Sequence, residues 1–312
     1  MKIRLVVLGW VFLSSPVLAQ LQVEDSLGRN IILEKPAVRV VSLAPHMTEV
    51  AFAAGAGQQL IGAVSYSDYP EAAKEIPRVG SYNNVSYETL IALNPDLVLA
   101  WRSGNGDEVI KRLESLGLTV YVDESKTLED VPRSLVAVGE LTGNLNTAKT
   151  AAQLFLQNLS HLRNTFSSQQ EISVYYQIWD EPLLTLNGDH LISDVVRLCG
   201  GRNVFSDSPA LVSRISVESV IRANPQVIIA SGMDKARPEW LDKWREWTSM
   251  TAVKNNQLYF IPPDLLQRHT PRIIEGAALM CEKLQIARKH YNGKRSSSLK
   301  TDEELTGFCL RR

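Results

Sequence analysis

The sequence predicts an α/β protein with two Rossmann-like lobes, each built on a mainly parallel sheet and joined by one long connector helix. Three observations indicate this class. Short apolar strands alternate with helices along most of the chain, which is typical of parallel sheets covered on both faces. A segment in the first half recurs in the second half, shifted by 130 positions. A long stretch without glycine or proline separates the two copies, as a connector helix requires.

Length and charge set limits on the class of protein. The chain has 312 residues, 45% of them hydrophobic, which is more than one average domain needs to build a core. Its 33 Lys and Arg against 34 Asp and Glu leave a net charge of -1, which argues against nucleic acid or a membrane surface as partner. Three cysteines without a C-x-x-C pair argue against a disulfide-rich scaffold, a zinc site or a redox centre.

The N-terminus has the pattern of a secretory signal. A basic start is followed by an apolar run over residues 5–13, too short to span a bilayer, and small residues end at Ala19. We expect cleavage after Ala19, so that residues 1–19 are a signal peptide; an uncleaved anchor is the alternative. No cysteine follows the site, so lipid attachment there is not expected. The mature protein is predicted to be soluble and periplasmic.

Periodicity assigns the elements of the first lobe, residues 20–143. Predicted strands cover residues 39–43, 61–65, 95–101 and 119–122. Predicted helices cover 48–54, ended by Gly55, and 108–116, closed by Gly117.

The second lobe is predicted to repeat the same theme. The connector helix covers residues 144–166, with its clearest helical pattern from 146 onwards, and the second lobe covers 167–291. Its predicted strands are 172–179, 226–230 and 258–261, and its helices are 191–199 and 273–290. Residues 292–312, rich in Ser, Lys and Glu, are expected to form a disordered tail.

The repeat is the strongest internal signal. Residues 86–100 and 216–230 share Ser, Glu, Ile, Asn, Pro and Ala at matching places. In each copy a serine is a natural N-cap, a glutamate follows in the first turn, and Asn-Pro ends the helix before a buried strand. The two lobes are therefore predicted to be related copies.

Two such lobes leave a cleft at the carboxyl ends of their strands, where folds of this class bind ligands. Aromatic side chains follow several strands there, and aromatics suit a broad flat ligand, although packing is the alternative role for each. The candidate binding residues are Tyr66, Tyr82, Trp101, Trp179 and the loop Asp264, Leu265, Leu266, Gln267 and Arg268.

Enzyme motifs are missing from the sequence: there is no G-x-S-x-G, P-loop, H-E-x-x-H or complete G-x-G-x-x-G. Many active sites have no short motif, so an exported enzyme stays the alternative, from another class, to a binding protein without a cofactor. His46 and His269 lie near the expected cleft, and each is either a metal-contacting side chain or a plain polar residue. Cys199 and Cys281 are either a disulfide or two buried thiols, and Cys309 is left over in the tail.

Several segments resemble one known family. They are residues 48–55, 66–70, 95–102, 199–201 and 271–274. The chain from about residue 39 to about 286 resembles the periplasmic cobalamin-binding proteins that feed ATP-binding-cassette (ABC) importers. In this family two lobes are bridged by a single long helix. The first and fourth segments are shared with siderophore and haem relatives, whereas the segments around Tyr66 and Trp101 are more specific to cobalamin.

The resemblance implies roles for individual residues. Tyr66, Trp101 and the loop 264–268 would line the corrinoid pocket, and Cys199 and Cys281 would be bonded. Glu88 and Glu218 would dock on arginines of the membrane subunits; compensation of the helix dipole is the alternative role for these two carboxylates.

The sequence also departs from the family pattern. A well-known member of the family has tryptophans at the positions of Tyr82 and Val212. At the end of the first second-lobe strand, that member has a less acidic segment in place of Trp179-Asp180-Glu181. The expected function is capture of cobalamin or a close corrinoid by a monomer that delivers it to an ABC importer. His46 is a possible axial ligand of cobalt, and a haem or ferric-siderophore carrier is the alternative within the class.

Overall fold

The computed structural model describes the backbone of residues 20–232 and 236–309, with side chains as far as residue 293. The predicted signal peptide lies outside the described residues. Within the described part, no helix has both the length and the apolar character needed to cross a bilayer.

A small hairpin precedes the first lobe, which is built on a four-stranded sheet. The strands are β1 (Leu21–Glu24), β2 (Asn30–Leu33), β3 (Val40–Ser42), β4 (Leu60–Ala63), β5 (Gly80–Ser81), β6 (Asn84–Val85), β7 (Leu97–Trp101) and β8 (Val120–Asp123). The helices are α1 (Pro45–Ala53), α2 (Tyr87–Leu93), α3 (Arg102–Asn105), α4 (Asp107–Ser115) and α5 (Asp130–Leu141), with 3-10 turns at Gly57–Gln59 and Glu71–Glu75. The sheet order is β4-β3-β7-β8, with all neighbours parallel.

The connector helix α6 (Leu145–Phe166) agrees with the sequence prediction to within a residue. Its buried face contributes to both lobes, because Ala148 and Ala152 pack in the first-lobe core while Phe155 and Leu159 pack in the second-lobe core. One helix thus serves as a rigid bridge whose two ends belong to different cores.

The second lobe repeats the architecture of the first. Its strands are β9 (Ile172–Gln177), β10 (Leu184–Leu186), β11 (Gly201–Asn203), β12 (Val212–Arg214), β13 (Val227–Ala230) and β14 (Leu258–Phe260). Its helices are α7 (Leu191–Leu198), α8 (Val217–Ala223), α9 (Thr251–Lys254), α10 (Pro263–Leu266) and α11 (Ile273–Cys309), with a 3-10 helix at Glu239–Glu246. The sheet order β11-β9-β13-β14 is again all parallel, so in each lobe the first strand of the sheet lies between the second and third.

The repeat has the predicted local structure in both copies. The hydroxyls of Ser86 and Ser216 accept hydrogen bonds from the backbone N–H groups three residues later, at 3.3 Å in each case. Asn94 and Asn224 end the helices in the left-handed conformation, with φ of 44° and 42°. The predicted relation between the lobes is supported by this match and by the common strand order.

Several features differ from the sequence prediction, among them strand β11 of the second-lobe sheet and the short strands β1, β2, β10 and β12, none of which was predicted. Helix α5 was not predicted, and it packs along α6. Helix α11 continues to Cys309, whereas a helix ending at His290 and a disordered tail were expected; the extension contains no proline to stop it. The bond between Cys199 and Cys281 is present and joins the end of α7 to α11. The lobe limits at 20–143 and 167–291 stay predictions.

Candidate functional site

The carboxyl edges of the two sheets face each other across the groove between the lobes. His46, in the first turn of α1, and His269, beyond β14, approach with ring centroids 5.7 Å apart. Arg268 reaches from the second lobe to Glu49 on α1 with a 2.8 Å contact. The loops after the strands therefore meet where parallel α/β folds place their ligands.

Two of the aromatic residues predicted to contact the ligand lie beside each other in the first lobe. The rings of Tyr82 and Trp101 lie 6.0 Å apart and tilted. The side chain of Asn105 fixes both segments, because it accepts from the Trp101 N–H at 2.6 Å and donates to the Tyr82 carbonyl at 2.6 Å. Gly104 lies under the indole, where a Cβ would come within 1.9 Å of the ring. The local sequence Trp-Arg-Ser-Gly-Asn is thus built to hold one indole in place.

Tyr66 projects from the first lobe without covering. Its side chain is 76% exposed and its φ of 66° is unusual for a residue with a Cβ. Strained backbone of this kind often occurs at binding sites, where the surrounding structure fixes it.

The second-lobe side carries an open cavity of about 760 Å³. It is lined by Trp179, Asp180, Glu181, Glu239, Trp240 and Lys243. The Trp179 indole N–H donates to the Glu181 carbonyl at 3.0 Å, and the Lys243 ammonium lies 2.6 Å from Asp180. Trp179 thus lines an open cavity of the second lobe, its contact with a ligand stays a prediction, and Trp240 is a second indole that the sequence did not single out.

A second cavity, of about 490 Å³, lies between the lobes themselves. Its first-lobe lining is Arg102, Ser103, Gly106, Asp107, Glu124 and Lys126, and its second-lobe lining is Asn187, Asp189, Pro209 and Leu211. Space for a ligand therefore continues from one lobe to the other.

An ion network joins the lobes beside the groove. The Glu49 carboxylate is 3% exposed and accepts from Arg268 at 2.8 Å and from Arg272 at 2.7 and 2.9 Å. Arg268 also contacts Asp68 at 2.7 Å and Asp264 at 3.1 Å. Burial alone would lower the pKa of both guanidinium groups, but their carboxylate partners raise it, so both stay charged.

The predicted loop 264–268 has mixed roles. Arg268 and Asp264 belong to the ion network, and Gln267 donates to the Gly232 carbonyl at 3.0 Å. Leu265 is half-buried. Leu266 is fully buried in the second-lobe core, so it supports the loop from behind rather than facing the groove.

Three histidines lie in line across the lobe interface. His46 packs edge-on against Trp101 at 5.2 Å, and His269 lies 5.7 Å from His46 and 5.6 Å from His190. His46 is only 4% exposed, and its Nε2 atom is 3.4 Å from the buried Asp123 carboxylate. His46 is thus enclosed by protein rather than open to the groove, and no group of His, Cys, Asp and Glu among the described residues is arranged to hold a metal ion.

Glu88 and Glu218 are exposed in the first turns of α2 and α8, at equivalent positions of the two lobes. Hydrogen bonds from its own backbone N–H and from the Ser216 hydroxyl lower the pKa of the Glu218 carboxyl. Both side chains are therefore available to a partner.

Sequence reasoning missed Glu49, Asp123, His190 and Trp240. Glu49 and Arg272 lie in the quoted segments 48–55 and 271–274, so the pattern carried a signal for both. Glu49 contacts the other lobe, whereas Asp123, His190 and Trp240 contact segments of their own lobe that are distant in sequence. A single sequence does not specify either kind of contact.

Taken together, two parallel α/β lobes, one bridging helix and an aromatic groove between them define a substrate-binding protein of the two-lobed class. A model of the periplasmic binding protein family matches residues 40–265, and the chain belongs to this family. The predicted fold class and family resemblance are thereby confirmed.

Named relatives narrow the comparison. The vitamin B12-binding protein of Vibrio cholerae serotype O1 is 38% identical over 255 residues, covering 81% of this chain and 91% of the relative. That of Pectobacterium carotovorum is 36% identical over 248 residues, covering 79% and 88%.

A crystal structure of the periplasmic vitamin B12 binding protein BtuF of Vibrio cholerae matches with a TM-score of 0.76 and 37% identity, covering 81% of this chain and 99% of that one. The periplasmic heme-binding protein RhuT of Roseiflexus matches with a TM-score of 0.70 at 20% identity, covering 80% and 98%, which shows the shared fold alone.

Proposed function

We propose that this protein captures cobalamin, or a close corrinoid, in the groove between its lobes and delivers it to the membrane subunits of an ABC importer. The observation that carries the proposal is 38% identity to a vitamin B12-binding protein along 81% of the chain. An interlobe cavity and aromatic side chains in each lobe support it. The role is binding and transport, with cobalamin as cargo rather than cofactor.

The groove suits a broad ligand with an apolar face and a polar edge. Tyr66, Tyr82 and Trp101 offer aromatic surface from one lobe, and Trp179 offers it from the other. Side chains such as Asn187 and Ser103 in the interlobe cavity can pair with amide groups at a ligand's edge. Binding by stacking and edge hydrogen bonds follows from this combination.

Delivery is assigned to the pair Glu88 and Glu218. They occupy equivalent positions of related lobes, so together they present a pseudo-symmetric pair of carboxylates. Such a pair suits two membrane subunits that each offer a basic patch. A monomer acting in the periplasm after loss of residues 1–19 completes the proposal, and the disulfide is consistent with an oxidising compartment.

Calorimetric titration of the purified mature protein tests the ligand. Cyanocobalamin is expected to bind tightly with one-to-one stoichiometry, while haemin and a ferric hydroxamate siderophore give no comparable heat. Binding of haemin or the siderophore in place of cyanocobalamin would contradict the assigned ligand while leaving the transport class in place.

A further inference from the structure

We propose that the cavity formed by Trp179, Trp240 and the carboxylates of Asp180, Glu181 and Glu239, here called the acidic wall, contacts the ligand and selects corrinoids with neutral amide side chains over corrinoids with ionised carboxylates. This inference rests on the proposed function and names the residues that set its selectivity.

The position of the acidic wall follows from topology. Trp179 follows β9, and Trp240 lies on the 3-10 helix Glu239–Glu246 that follows β13. Both strands are parallel neighbours in the second-lobe sheet, so the segments that follow them leave from the same carboxyl edge. His269, which follows β14 of that sheet, meets His46 of the first lobe. The two indoles line one cavity, and Trp240 thus adds aromatic surface that the sequence did not indicate.

The charge of the wall is negative. Among the described residues that line this cavity, three carboxylates accompany one ammonium group, that of Lys243. Lys243 is engaged by Asp180 at 2.6 Å and Glu181 at 3.2 Å, so its charge is already shared between two carboxylates.

The arginines beside the groove do not offset this charge. Arg268 and Arg272 are bound by three carboxylates, those of Glu49, Asp68 and Asp264. An anionic ligand could use either guanidinium only by displacing a carboxylate from a largely buried network, which is costly.

The interlobe cavity also has more negative than positive side chains in its lining. Its described lining holds Arg102 and Lys126 against three carboxylates, those of Asp107, Glu124 and Asp189. Each of the two cavities therefore presents an excess of negative charge to a ligand that enters it. Neutral amides can donate hydrogen bonds to these carboxylates, whereas an ionised carboxylate is repelled by them.

Coulomb's law gives the size of the repulsion between a ligand carboxylate and the acidic wall. One added negative charge at about 10 Å from two uncompensated charges in water weakens binding about fourfold. Because these groups are partly exposed, the effect is expected to shrink at 1 M salt, where the screening length is about 3 Å.

The test compares cyanocobalamin with its monocarboxylic acid, in which one side-chain amide is hydrolysed and the shape is retained. We expect the acid to bind the mature protein about fourfold more weakly at low salt. The triple variant Asp180→Asn, Glu181→Gln and Glu239→Gln is expected to bring the two affinities together. A matched control, Glu171→Gln with Glu282→Gln, alters carboxylates at the opposite edge of the second-lobe sheet and on α11, and is expected to keep the difference.

Trp240 is tested in parallel by Trp240→Ala, which is expected to raise the Kd for cyanocobalamin about tenfold. Its control is Trp247→Ala, since Trp247 ends the same 3-10 helix, is 42% exposed and does not line the cavity. Equal binding of acid and amide by the unaltered protein, or a Kd unmoved by Trp240→Ala, would overturn this inference alone. Absence of cyanocobalamin binding would overturn the proposed function with it.

Discussion

Trp101 is a predicted ligand contact whose side chain is held in one position by its neighbours. Asn105 holds its backbone, and Gly104 leaves room for its ring. We expect Trp101→Ala to weaken cyanocobalamin binding by about 1 to 3 kcal/mol, because a stacked ring in a desolvated site contributes on that scale. Trp101→Phe retains a ring and serves as the control in the same calorimetric titration. An unchanged Kd for Trp101→Ala would remove the indole from the site.

The histidines at the lobe interface predict a pH dependence of stability. Removal from water lowers the pKa of His190 to about 4, and burial with the neighbouring His190 and His46 lowers that of His269 well below its usual value. As pH falls from 6.5 towards 4, the unfolded chain binds protons that the folded chain does not, so the free energy of unfolding falls. Above pH 6.5 both states are neutral at these rings and the loss disappears.

The free energy of unfolding of the parent protein is expected to fall between pH 7 and pH 4.5. We expect this fall to be about 2 kcal/mol smaller in His190→Asn, measured by urea unfolding at each pH. Asparagine keeps an acceptor for the Ile192 N–H, which His190 caps at 3.1 Å. The Asp123 carboxyl does not disturb this measurement. Burial would raise its pKa, but His46 and Ser134 lower it overall. Its contribution to the free energy of unfolding is therefore lost mainly below pH 3.8. Parallel pH curves for variant and parent would show that His190 does not carry the effect.

At the level of elements, the first turns of α2 and α8 are expected to carry the docking function. The double variant Glu88→Ala with Glu218→Ala is expected to abolish corrinoid uptake in a reconstituted importer while the Kd for cyanocobalamin stays unchanged. The N-caps Ser86 and Ser216 remain in place, so both helices keep their starts. If uptake persists, the two carboxylates act only on the helix dipole, at about 0.3 to 1 kcal/mol each.

The elements show which parts of the fold a single sequence predicts. Strands such as β7 and β13 are fully apolar runs bounded by Asn-Pro, and α6 is long and free of helix breakers, so both kinds of element were predicted nearly to the residue. Helix α5 was missed because Pro132 and Gly139 lie within it. The Pro132 ring is accommodated in the first turn, where its missing N–H costs nothing, and packing against α6 stabilises the rest.

At the scale of the whole molecule, local sequence patterns predict where the groove between the lobes lies. They do not predict which charged side chains pair with each other beside it. The aromatic residues were predicted because they follow strands, and their position needs only the order of elements. The pairing of Glu49 with Arg272, 223 positions apart, depends on how two lobes dock. Three carboxylates of both lobes engage Arg268 in the structure, and its contact with the ligand stays a prediction.

The ion network predicts how the lobes are held together. Glu49→Gln removes the charge that two largely buried arginines share. Arg272 then keeps the nearby charge of Asp264 and the Tyr69 ring, whose centroid lies 3.8 Å from its guanidinium carbon. Breaking a buried pair costs about 3 to 5 kcal/mol, which we expect as a lower free energy of unfolding in urea. Since the lost contacts join the two lobes, the radius of gyration of the ligand-free protein in X-ray scattering is also expected to increase.

The control for this prediction is Glu71→Gln, which removes an exposed carboxylate paired with Lys74 within one 3-10 helix. Such a pair contributes about 0 to 1 kcal/mol, so the free energy of unfolding is expected to change by no more than that. Because the pair lies within one lobe, the radius of gyration is expected to stay the same. Matching results for Glu49→Gln and Glu71→Gln would mean that the connector α6 and the packing around it orient the lobes without the ion network. A difference in both measurements would assign to Glu49 the contact that holds the groove at its present width.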